Sequence, residues 1–214
     1  MPPASGIILP PQFLGSTAYY AVIAAADEVT VDLSMSFDKR FKSIHRCIID
    51  GANGPTMLTV PIARPQSMMS ANWNDIIVSE HGGWWNEMLT ALHSAYGRTP
   101  YFEFYIDLFE PLLSKDTPGI AITRLDRELD TLLRRLLQID TPVNYIEDAA
   151  KSSFRGSQKD FSAMMDNSTI DVEYYQIRAL KHGFQPRMSA VDLLFNMGPE
   201  SIVVLRDSAL PIRP

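Results

Sequence analysis

The stretch from Ile7 to Leu33, Ile-Ile-Leu-Pro-Pro-Gln-Phe-Leu-Gly-Ser-Thr-Ala-Tyr-Tyr-Ala-Val-Ile-Ala-Ala-Ala-Asp-Glu-Val-Thr-Val-Asp-Leu, reads as strand, helix, strand. Ile7-Ile8-Leu9 is a short apolar run stopped by Pro10-Pro11, because proline has no N–H to give a ladder. Thr17 to Ala26 carries Tyr20, Ile23 and Ala24 at helical spacing, and Val29 to Leu33 is β-branched enough for a second strand.

Working outward, Ile44 to Ile49 and Thr56 to Val60 flank Asp50-Gly51-Ala52-Asn53-Gly54-Pro55, whose Asp-Gly and Asn-Gly pairs favour a hairpin. Residues 75–79 read as a further strand. From Trp84 three helical patterns follow. Trp85, Met88, Leu89, Leu92 and Tyr96 form the first stripe, which Gly97 closes. Thr99-Pro100 opens the second as N-cap and first-turn proline. Thr123 with Asp126 resembles a capping box ahead of Leu125, Leu129, Leu132, Leu133, Leu136 and Leu137. Residues 144–169 are polar and read as loop with a short helix. Ser189 with Asp192 gives a second capping box, Gly198 a C-terminal stop, and Pro199-Glu200 the start of a last helix ending near Leu205. The expectation is one α+β domain over residues 1–214: an N-terminal strand-helix-strand and hairpin forming a mixed sheet, then a mostly helical C-terminal part.

The chain has 214 residues, 46% of them hydrophobic and 21% charged, enough for one sizeable core. Its net charge of −6 lacks the basic face that phosphate polymers and anionic lipids require, which excludes nucleic acid and membrane surfaces as expected partners. The N-terminus has no basic and apolar signal pattern, and the single cysteine, Cys47, permits no internal disulfide, so a cytoplasmic location is expected. A dinucleotide Gly-rich fingerprint, a phosphate loop and a Gly-x-Ser-x-Gly elbow are all missing, which argues against Rossmann oxidoreductases, P-loop kinases and serine hydrolases.

Tyr174-Tyr175-Gln176 and the run Lys181-His182-Gly183-Phe184-Gln185-Pro186-Arg187-Met188-Ser189-Ala190-Val191-Asp192-Leu193-Leu194-Phe195-Asn196-Met197-Gly198 resemble the closing signature of the WbqC-like family. Ile8-Leu9-Pro10-Pro11-Gln12-Phe13, Tyr19-Tyr20, Lys39 through Cys47, Leu58-Thr59-Val60-Pro61, Ser94-Ala95-Tyr96 and Pro100-Tyr101-Phe102 match further landmarks. The resemblance implies a place in surface polysaccharide synthesis. Departures accompany it: Met88 stands where a helix histidine is expected, Ser153 where an aspartate often precedes Arg155, and Arg187 where asparagine is usual.

Lys39-Arg40-Phe41-Lys42-Ser43-Ile44-His45-Arg46 holds four of the nineteen Lys and Arg residues. On a strand, Arg40, Lys42 and Arg46 would share a face at about 6.6 Å steps, suited to a diphosphate or carboxylate; the bland alternative is a charged edge that blocks strand addition. Family placement raises Lys39 and Arg46 above their neighbours. Asp32, at a strand end, is the candidate general base, with Lys39 as its catalytic companion. Tyr175 and Gln176 are candidates for contacting a sugar, and Asn196 is added because it lies in the most family-like run; packing and helix-capping roles compete for each of these. Cys47 would share its strand face with His45 beside the apolar Ile48-Ile49, which favours a buried, inert thiol. The four histidines have no metal-ligand spacing, so no metal site is expected, and the sequence leaves the cofactor unknown.

The expected function is therefore an enzyme that modifies an activated sugar or transfers a small group to one, its partner a small anionic ligand such as a nucleotide sugar. The alternative is a non-catalytic binding or scaffolding protein.

Overall fold

The computed structural model describes residues 7–63, 71–152 and 173–208. Its opening is the expected unit: β1 (Ile7–Leu9), α1 (Thr17–Ala25) and β2 (Val29–Asp32), with β1 and β2 parallel and Ile7 opposite Val29. Parallel neighbours need a crossover, and α1 supplies it. Ser16 caps α1 by accepting from the Tyr19 amide at 3.2 Å. Every residue from Thr17 to Ile23 is buried, as an all-round apolar helix must be.

Strands β3 (Arg46–Gly51) and β4 (Gly54–Thr59) form the expected antiparallel hairpin, Gly51 facing Gly54 across Ala52-Asn53. The positive φ that the turn needs falls on Gly54, at 104°. The helices follow: α2 (Trp84–Tyr96), α3 (Phe102–Phe109), α4 (Ile122–Leu136), the short α5 (Ala179–His182), α6 (Ala190–Met197) and α7 (Ser201–Ser208). Small parallel and antiparallel ladders built mostly from the N-terminal strands, with helices mostly in the C-terminal part, make the fold α+β.

Helix α6 is the centre of the core. Ala190 through Asn196 are buried, and the Phe195 ring meets Tyr96, Phe102 and Phe109 at centroid separations of 5.3, 5.1 and 5.9 Å. Burying a side chain of this kind stabilises the fold by about 1.5–3 kcal/mol. The start of α6 is tied to two other parts of the chain, β3 and the Leu14-Gly15 turn. Ser189 N donates to Ile48 O of β3 at 2.7 Å, Ser189 Oγ to Leu14 O at 2.6 Å, and Ala190 N to Gly15 O at 2.8 Å.

Several sequence expectations are corrected. A third strand, β5 (Val143–Ile146), lies in the stretch read as loop and completes the parallel sheet in the order β1-β2-β5, Val29 opposite Val143 and Asp32 opposite Ile146. Its polar Asn144 and half-exposed face hid the apolar pattern of a strand. Residues 39–45 are not a strand: the Asp38 carboxylate accepts from the Arg40 amide at 2.9 Å, turning the chain into a 3-10 helix over Lys42–Ile44. Residues 75–79 contribute isolated bridges, Ile62 with Val78 and Ile77 with Ala121. Thr99 closes α2 rather than opening α3, its hydroxyl donating to Tyr96 O at 2.7 Å. Thr123 lies inside α4 and donates to Asn74 Oδ1 at 2.6 Å, so its box with Asp126 does not form. Ser189 does cap α6, through the Val191 amide, but the Asp192 carboxylate turns to other partners, and the last helix runs on to Ser208.

Candidate functional site

The parallel sheet determines where a ligand fits. In open sheets with parallel strands, the crevice beyond the carboxyl ends of the strands is where backbone diverges and side chains converge. Here β2 ends at Asp32 and β5 at Ile146, and a cleft of about 480 Å³ is lined by the residues that follow them, Leu33 and Glu147, together with Asn74, Thr123, Arg124, Arg127 and Glu128. That volume suits a small organic ligand.

Helix α4 supplies half of the lining. Arg124 pairs with Glu128 one turn on, at 2.9 Å, and Arg127 pairs with Glu147 while lying over the Tyr145 ring at 4.8 Å. Asn74 bridges the two sides, donating to Glu147 O at 2.9 Å and accepting from Thr123. The cleft therefore offers guanidinium groups for an anion, and carboxylate, amide and hydroxyl groups for the hydroxyls of a sugar.

Behind this wall lie two buried carboxyl groups. Asp130 Oδ2 accepts from Tyr145 Oη at 2.5 Å and Arg134 Nε at 2.9 Å. Asp126, one turn earlier and fully buried, has no hydrogen-bond partner on either oxygen among the described residues. Burial, reinforced by the charge of Asp130, pushes the Asp126 carboxyl well above the usual carboxylate range. A crevice too tight for water joins the pair to Leu33 and Arg127 of the open cleft. Neither aspartate was expected as a site residue, although both fall beside Leu125, Leu129 and Leu133 in the apolar stripe of α4, a position where a carboxylate needs explaining.

The residues expected to form the site take the following places. Asp32 is buried at the carboxyl edge, where its oxygens accept from Ser34 N and Ser34 Oγ, both at 3.1 Å, and Ser152 Oγ at 2.8 Å; it fixes the turn beside Leu33. Lys39 stands on an exposed turn. Arg46 begins β3, with Nη1 3.8 Å from Met57 Sδ. Tyr175 is 57% exposed. Gln176 and Asn196 are brought together by a third residue, Asp192: Gln176 Nε2 donates to Asp192 Oδ2 at 2.8 Å and Asn196 Nδ2 to Asp192 O at 2.8 Å. Tyr174 Oη donates to the same carboxylate at 2.6 Å. Burial pushes the Asp192 carboxyl up, and the hydrogen bonds from Tyr174, Gln176 and Tyr96 oppose that rise. Asp32 is thus beside the cleft, whereas Lys39, Arg46, Tyr175, Gln176 and Asn196 are not part of its lining.

A sheet-edge cleft of mixed charge is built on an α+β frame. The chain belongs to the WbqC-like protein family, whose sequence model matches residues 11–167. The match covers α1, β2, the hairpin, α2 to α4 and β5; β1 and the closing run from Tyr174 to Gly198 lie outside it. No curated protein and no solved structure matches the chain. Among the described residues, no helix is long and apolar enough to cross a membrane.

Proposed function

We propose that this protein is a cytoplasmic enzyme of surface polysaccharide synthesis, of the O-antigen-like kind, which modifies an activated sugar or transfers a small group to one. Family membership supports the pathway. The observation that carries the site is the cleft beyond β2 and β5, with Arg124 and Arg127 paired to carboxylates that a ligand can displace. The anionic part of a nucleotide sugar takes Arg127 from Glu147, and the released carboxylate is then free to accept a proton from a sugar hydroxyl. Asn74 and Thr123 orient the sugar, and Asp32 holds the strand-end turn that shapes the cleft floor.

A second reading, binding without catalysis, is favoured by Met88. It occupies the position where the family resemblance leads one to expect a histidine, and it is packed in the core at 2% exposure. Thermal unfolding with a panel of nucleotide sugars tests the proposal: a bound ligand at about a hundred times its Kd stabilises by roughly 2.7 kcal/mol. Stabilisation by one member, lost in Arg127→Ala and accompanied by turnover, is the expected result. Stabilisation without turnover selects the second reading, and no response from any nucleotide sugar removes the ligand class.

A further inference from the structure

We propose that Arg98, Arg178 and Lys181 form a second binding site, separate from the sheet-edge cleft, for the phosphate or diphosphate group of a small soluble ligand. These residues line a cleft of about 600 Å³ between the hairpin turn, the end of α2 and α5, together with Ala52, His93 and Ser94. No carboxylate lines it, in a chain whose net charge is −6. A concentration of cations with no carboxylate in the lining produces a positive potential that a ligand anion can neutralise.

The site is built rather than incidental. Arg178 is half-buried and donates from Nη1 to Asp50 O at 3.2 Å and from Nη2 to Ser94 O at 3.0 Å, which fixes its guanidinium across the hairpin and α2 while leaving other N–H groups unused. Lys181 Nζ is held at 2.9 Å by Ala52 O. Arg98, exposed just beyond α2, makes no ion pair among the described residues. The segment carrying Arg178 and Lys181 is held from beneath: Asn196 Oδ1 accepts from Ile177 N at 3.1 Å, and Gln176 binds Gln185 at both its amide and its carbonyl. Two acidic groups stand nearby. Glu110 is 4.0 Å from His93, and the Asp50 carboxyl is pushed up by burial while the charges of Arg178 and His182 pull it down; neither carboxylate enters the lining of the cleft. A planar guanidinium already fixed in place, with a lysine and a second arginine around one opening, is the arrangement that recognises phosphate oxygens.

Calorimetric titration with inorganic pyrophosphate and with uridine diphosphate at low salt tests this. A saturable component is expected that weakens roughly tenfold in Arg98→Ala and in Lys181→Ala, is lost in Arg98→Glu while any binding at the sheet-edge cleft stays, and falls as salt is raised. Both side chains are exposed, so these variants keep the fold. The Arg98-dependent binding persists in Arg127→Ala, which separates it from the sheet-edge cleft. Absence of saturable binding, an unchanged affinity in Arg98→Glu, or loss of all binding in Arg127→Ala overturns the proposal.

Discussion

Gln176 clasps Gln185 at both ends, its Oε1 accepting from the Gln185 amide at 2.8 Å and its Nε2 donating to the Gln185 carbonyl at 3.0 Å. The same Nε2 reaches the Asp192 carboxylate, so one buried amide joins the loop after α5 to the central helix. Gln176→Ala strands the Gln185 backbone groups and removes a donor from Asp192. Unfolding in urea is expected to show a loss of about 1–3 kcal/mol. A change within about half a kcal/mol, the range of an ordinary surface substitution, would show that water replaces the clasp without cost.

Asp126 gives the protein a pH signature. Its folded carboxyl titrates above the unfolded one, so between those two values the native state binds more protons than the unfolded state, and stability falls as pH rises. That contribution is fully present below the unfolded value near 4 and is lost as pH passes through the raised one. In Asp126→Asn, urea stability measured at about pH 5 and pH 8 should decline less over that interval than in the wild type. An equal decline in both proteins rules out Asp126 as the source.

Cys47 is fully enclosed and its thiol is pushed up by burial, away from the thiolate form. A thiol reagent at neutral pH should therefore modify Cys47 only after denaturant is added. Rapid labelling of the folded protein contradicts the inert assignment.

Gly198 ends α6 at a φ of 54°, and a Cβ there would stand 2.5 Å from the Tyr101 ring. Gly198→Ala combines backbone strain with a steric clash and is expected to cost about 1–3 kcal/mol. Tyr101→Ala in the same chain should recover part of the loss, and failure to recover any would show that the clash contributes nothing.

The amide and carboxylate residues of the closing run show what a sequence can and cannot convey. Helix α6 was readable from its Ser189 cap and the Gly198 stop because both act within a few residues. Gln176 and Asn196 stand out in the sequence, whereas the spacing of their partner Asp192 reads as a cap, since local spacing says nothing about where a buried carboxylate turns. The sequence points to Lys39 and Arg46 as cationic partners; in the structure the hairpin supplies carbonyl oxygens, from Asp50 and Ala52, to Arg178 and Lys181 of the closing third.

The sheet-edge cleft was half legible. Asp32 was placed at a strand end by the run Val29 to Val31. The opposite wall is not legible, because β5 shares no local signal with β2, Asp126 has the spacing of a helix cap, and Asp130 belongs to no motif. Charges inside the apolar stripe of α4 were the one clue on offer.

The pairing of Val29 with Val143 carries a consequence for biosynthesis. When the ribosome has released β1, α1 and β2, the outer edge of β2 still lacks its neighbour, and more than a hundred further residues must be translated before that neighbour arrives. During that interval an unpaired, β-branched edge is open to other nascent chains, and the long wait adds a slow, non-local step to maturation. A truncated translation product ending before β5 would therefore be a substrate for chaperones rather than a folded fragment.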